Sequence, residues 1–175
     1  MFDPTIFDNL KVALENELYD LDNLDQAIHI TNRIDRLELS TMSRVFMLRF
    51  ELTGERRISA ELELAASMQE LAAEILELSG ENPGCVLCLR YILQMKDTVL
   101  CSEVERIMAE MWPEQKTVQQ ISYVYGSESM MTNTVEINFD RKINENHMRD
   151  LPELVRYMME AAKRLGEVME LQQNE

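Results

Sequence analysis

Residues 85–95 read Cys-Val-Leu-Cys-Leu-Arg-Tyr-Ile-Leu-Gln-Met, the most continuously apolar run of the chain, with Arg90 and Gln94 as its strongly polar members. Pro83 and Gly84 bound it in front, and Lys96-Asp97 follow. A short run rich in Val, Ile, Tyr and Cys predicts a central strand buried on both faces.

Strand and helix patterns flank it. On the N-terminal side, Ser43–Leu52 puts Phe46, Leu48, Phe50 and Leu52 on one face and Met47, Arg49 and Glu51 on the other. That is a strong strand pattern. Ile28, Ile30 and Ile34 alternate with His29, Thr31 and Arg33, which predicts another strand beside it. Residues 1–22 fit two patterns. As a helix, Asp3-Pro4 start it and Phe7, Leu10, Leu14, Leu18 and Leu21 form its stripe. As a strand it begins at about Leu10. The strand is preferred, because neighbouring segments pair locally.

Between Ser43–Leu52 and the central run, Ser59 is expected to cap a long helix to about Ser79. Its buried stripe is Leu64, Met68, Leu71, Ile75 and Leu78; Gly80 closes it. Glu61, Glu63, Glu70, Glu74 and Glu77 form its solvated face. Beyond the central run, Cys101–Trp112 predicts a short helix stopped by Pro113. Val118–Tyr125 and Thr134–Ile143 read as strands joined by a longish loop, Gly126–Asn133. A long helix from about Leu151 to Gln172 ends the chain, with Asp150 as cap.

The fold class is therefore α+β: a mostly antiparallel sheet of about six strands, with two long helices and one short helix packed on it. The length of 175 residues suits one domain, 1–175. The order of elements also admits two strand–strand–helix halves, 1–80 and 81–175.

Composition narrows the function. The net charge of -15 repels nucleic acid and anionic membranes. No run approaches the roughly 18 apolar residues of a membrane helix. The start, MFDPTIFDNL, lacks the basic and apolar regions of a secretory signal, which places the chain in the cytoplasm. Three cysteines do not make a disulfide framework there. Cys85 and Cys88 have zinc-knuckle spacing, but on a strand they point to opposite faces. No metal and no cofactor is expected. Glycine-rich phosphate loops are missing from the sequence. His147 sits in a polar link and His29 on a strand, each without a defined partner, so no catalytic residue is assigned.

The basic concentration lies between Arg33 and Arg57. Arg33, Arg44 and Arg49, with His29, are the candidate ligand-binding residues, converging to hold an anion bidentately. Cross-strand ion pairs with nearby acids are the competing reading. Two function classes stand. The first is a non-enzymatic cytoplasmic protein acting through protein contacts. The second is a small enzyme or anionic-ligand-binding domain built on the Arg33–Arg57 region. Surplus apolar surface, including Val45, Met47, Tyr123, Tyr125, Met130 and Met131, predicts a homodimer and a protein partner. A monomer would instead require an N-terminal helix covering the second sheet face.

Overall fold

The computed structural model describes residues 5–171. Its order is α1 (Ile6–Asn23), β1 (Ile28–Glu38), β2 (Ser43–Leu52), β3 (Ile58–Ala66), α2 (Met68–Ile75), β4 (Val86–Met95), α3 (Cys101–Met111), β5 (Lys116–Val124), β6 (Ser127–Asn138) and α4 (Leu151–Leu171). A 3₁₀ turn, Glu145–Asp150, leads into α4. The six strands form one antiparallel sheet in the order β1-β2-β3-β4-β6-β5. The α+β expectation holds, with β3 and β4 at the centre.

Residues 6–23 are helix, and the strand expected from Leu10 does not form. Phe7, Leu10, Leu14 and Leu18 recur at helical spacing and are all fully buried. Thr5 accepts from the Asp8 backbone N–H and Asp8 returns a bond to the Thr5 N–H, a reciprocal capping box. The expected cap at Asp3-Pro4 lies outside the described residues, as does the expected helix end at Gln172. The alternation that suggested a strand spans few residues, and it carries no cap.

The long helix expected over 59–79 is also replaced. Ile58, Ala60, Leu62, Leu64 and Ala66 are buried in strict alternation, the period of a strand. Ala, Glu and Leu favour helix intrinsically, but pairing on both sides with β2 and β4 overrides that preference. The chain turns helical only at Ser67, whose side chain accepts from the Glu70 N–H at 3.3 Å. Glu61 and Glu63 are thus strand residues and not part of a solvated helix face.

The expected loop Gly126–Asn133 is strand instead. β5 and β6 meet at Tyr125-Gly126, where Gly126 takes φ +82°, the left-handed region glycine enters without penalty. The pairing register shifts between Tyr123 and Val124.

One sheet face carries the core. Phe46, Leu48 and Phe50 of β2 oppose Leu64, Leu62 and Ala60 of β3. Leu87, Leu89, Tyr91, Leu93 and Met95 of β4 and Val135 and Ile137 of β6 continue it. α1, α3 and α4 bury their stripes in the same cluster. Tyr91, fully buried, donates its hydroxyl to the Met158 carbonyl of α4 at 3.3 Å. Trp112 is buried edge-on against Phe139 and Tyr157.

α1 therefore lies on the same side as α4, and the second sheet face stays uncovered among the described residues. β4 is accordingly buried along its whole length on one face only, although Cys88 is buried on the other. Val86 and Gln94 on its other face are exposed, against the expectation of burial on both. Met47 of β2, also on the uncovered face, is by contrast buried among its neighbours.

Candidate functional site

On the uncovered face the register sets up a row of alternating charge. Arg49 of β2 stands opposite Glu61 of β3, Glu61 opposite Arg90 of β4, and Arg90 opposite Glu136 of β6. Arg49 Nε donates to Glu61 Oε2 at 2.8 Å. Arg90 donates to Glu136 at 2.7 Å, Glu61 at 3.1 Å and Glu63 at 3.0 Å. Glu61 is only 6% exposed on a face that no helix covers, because its flanking arginines enclose it. Burial disfavours the Arg90 cation, but the bonds to Glu63 and Glu136 outweigh it and hold the guanidinium charged. Asn138 and Arg90 hold the Glu136 carboxyl below its ordinary range.

The candidate ligand-binding residues are distributed differently from the expectation. Arg33 and Arg44 lie beneath α1. Arg33 donates through Nε and Nη2 to Glu15 at 2.8 and 2.6 Å, above the Phe46 ring. Arg44 donates to Asp8 at 2.7 Å with its guanidinium 4.3 Å from the Phe7 ring centre. Arg49 belongs to the charged row on the opposite face. His29 stands across from Glu51, with Nδ1 3.8 Å from Asp22. The structure brings none of these four into a common pocket. Each arginine spends its fork on a carboxylate of this chain: Arg49 makes the cross-strand pairing weighed against anion binding, whereas Arg33 and Arg44 pair from strand to helix.

Neither cysteine chemistry nor a metal cluster stands out. Cys85 is buried in the helix-side core, while Cys88 opposes Glu63 and Asn138 on the uncovered face. Burial pushes each thiol up to about 12. Among the described residues, no three His, Cys, Asp or Glu side chains gather as metal ligands. A cavity of about 80 Å³ lies between Leu87, Phe139, Ile143, His147 and Leu151. It is far below the roughly 300 Å³ of an ordinary ligand pocket. The His147 ring is occupied locally, accepting from the Asn144 N–H at 3.1 Å.

A second surface feature is α2 with the turn that follows it. The α2 carboxylates face the body. Glu70 accepts from the Gly84 N–H at 2.9 Å and from Lys142 at 2.8 Å. Glu74 accepts from the Ile6 N–H at 2.7 Å, capping the first turn of α1. Burial raises the Glu74 pKa, whereas Lys142 and the Gly84 N–H together lower that of Glu70 despite its own desolvation. Ala73 is buried and Leu71 packs against the core, while Met68 and Ile75 of α2, with Leu76 and Leu78 just past its end, are exposed. Ile75 is 69% and Leu76 67% exposed. Glu77 and Glu81, both exposed, border this patch. Sequence periodicity assigned Met68, Leu71, Ile75 and Leu78 to the core; Leu71 packs there, and the other three are exposed. The signal against the full stripe was Glu70 and Glu74, one turn apart and able to reach backbone donors.

No protein family, curated protein or solved structure matches this chain.

Proposed function

We propose that this chain is a non-enzymatic cytoplasmic protein that acts through protein contacts, as a homodimer that also engages a protein partner. The outer surface of α2 and the turn after it carries the reading. An amphipathic helix normally buries its apolar residues; here Leu71 and Ala73 do so, but Met68 and Ile75 of α2 and Leu76 and Leu78 beyond it are exposed, and the carboxylates of Glu70 and Glu74 serve as anchors. Contiguous exposed apolar surface rimmed by charge is the signature of an interaction site. The rim here is acidic, and the whole chain carries -15. The partner surface that complements it is apolar and flanked by Lys or Arg. The same charge opposes binding to nucleic acid. No described helix is long and apolar enough to cross a membrane.

The test is site-specific photocross-linking in the native cell. Benzoylphenylalanine replaces Ile75, Leu76 or, as a control on α1, Glu17. One discrete adduct with the same protein from both α2 positions, and none from position 17, is the expected result. Adducts no more abundant from 75 and 76 than from 17 would overturn the reading.

A further inference from the structure

β5 ends the sheet, and its outer edge is unpaired. Among the described residues, β5 pairs with β6 alone, and no loop hydrogen bond covers its free side. Proteins usually guard such an edge with Lys, Pro, a very short strand or a cover. Here Lys116, the first residue of β5, is its one charge; the stretch from Thr117 to Tyr125, TVQQISYVY, holds no charged residue and no proline, in a chain of which 28% is charged. It is rich in Val, Ile, Thr and Tyr, the residues that favour added strands.

We propose that β5 is the homodimer interface: two copies pair edge to edge, antiparallel, about a two-fold axis through Ile121 perpendicular to the sheet. The proposal deepens the homodimer part of the reading above and concerns a different surface from α2. Two observations select a second copy as the occupant. The first is charge. Chains of -15 repel one another, and the α2 patch would bring Glu77 and Glu81 of both copies together. The uncharged stretch lets two such chains meet with no opposed carboxylates in the paired strands. The second is self-complementarity. With Ile121 opposite itself, Val118 meets Val124 and Gln120 meets Ser122 on the uncovered face, and Gln119 meets Tyr123 on the helix side. Val118, Gln120 and Ile121 thus find partners of like polarity, and the surface is complementary to itself, as a two-fold interface requires. Val118 and Val124 are 45% and 73% exposed in the single chain and gain cover from each other. The pairing joins two six-stranded sheets into one, with the helices of both copies on the same side.

Light scattering on the whole chain tests this, with circular dichroism confirming the fold of each variant. Wild type should scatter at twice the 20.4 kDa chain mass. V118K/V124K and V118E/V124E, each placing like charges opposite one another, should scatter as single chains. An equimolar mixture of the two should return to the double mass, because an ammonium of one variant then faces a carboxylate of the other at both paired positions. That register-specific rescue is not produced by general destabilisation. A strictly monomeric wild type would overturn both the proposal and the homodimer it rests on, whereas a dimer unaffected by both double substitutions would overturn the β5 interface alone. Neither result alters the partner cross-linking expected at positions 75 and 76.

Discussion

Glu61 lies between Arg49 and Arg90, and it is Arg90 that ties the row together, reaching Glu61, Glu63 and Glu136 from one guanidinium. Arg90→Leu removes the cation and leaves those carboxylates crowded on the two strands that flank β4. Breaking a partly buried ion network from one side is expected to cost about 2 kcal/mol. That corresponds to roughly 6 °C in Tm for a chain of this size. Arg106 offers the contrast. It pairs with Glu103 and Glu110 along exposed α3, where ion pairs contribute little. Arg106→Leu should leave Tm unchanged. Thermal melts of the two variants side by side check the claim; equal melting points would remove the charged row from the stability argument.

Gly84 is required by contact and not by its dihedral angles. A Cβ there would meet the Ile143 carbonyl oxygen at 2.7 Å and the Lys142 Cβ at 3.1 Å. The same spot holds the Cys85–Ile143 bridge, with N···O distances of 2.7 and 2.8 Å. Gly84→Ala is expected to destabilise by about 1–3 kcal/mol, and to speed hydrogen exchange at the Cys85 and Ile143 amides first. Unchanged exchange at both amides would mean that the two backbones are not in contact.

Glu74 supplies a pH signature. Its folded pKa is raised, by burial first and then by Glu145 and Asp8. A raised carboxyl contributes stability that is present below its unfolded value near 4.5 and lost as pH rises through the folded value. At pH 7 the anion is therefore a liability, and Glu74→Gln, which keeps the oxygen that accepts from Ile6, should raise Tm there. The gain should vanish near pH 4. Asp8, Asp35, Glu70 and Glu136 have lowered values, so their contribution is present above the ordinary carboxyl range and lost as pH falls. Wild type should accordingly melt lower on acidification. A variant advantage that persists unchanged at acid pH would contradict the burial of Glu74.

The α+β class and the strand around Phe46–Phe50 were legible because burial on one face leaves a period of two in the sequence; the strand around Leu87–Leu93 was legible as a short apolar run rich in strand-favouring residues, although burial on both faces was expected of it. Cys101–Met111 and the C-terminal helix were legible through their stripes. Residues 58–66 were not, since Leu, Ala and Glu suit a helix and only pairing with β2 and β4 makes them a strand. The paired state of Arg33, Arg44 and Arg49 was half legible. The acids were visible, but Asp8 and Glu15 are partners only once residues 6–23 are helical and lie over the sheet. The unpaired β5 edge was hidden for a related reason: strand order, not composition, decides which strand is left at the end.

The cysteines provide the last prediction. Cys85 faces the helix-side core and Cys88 the uncovered face, so the two sulfurs of the Cys-x-x-Cys spacing are turned away from each other. A metal needs deprotonated thiolates converging on one point, and burial pushes both of these up to about 12. Cys101, partly exposed at the start of α3, is raised as well, by burial and then by Asp97. Native protein at pH 8 should thus react slowly with a disulfide reagent such as DTNB, with Cys101 the first to do so, and should release all three thiols rapidly once unfolded in guanidinium. Elemental analysis of protein purified under reducing conditions should find only traces of zinc. Stoichiometric zinc lost in Cys85→Ser and Cys88→Ser, or fast native reaction at both positions, would show that the strand does not hold these residues on opposite faces.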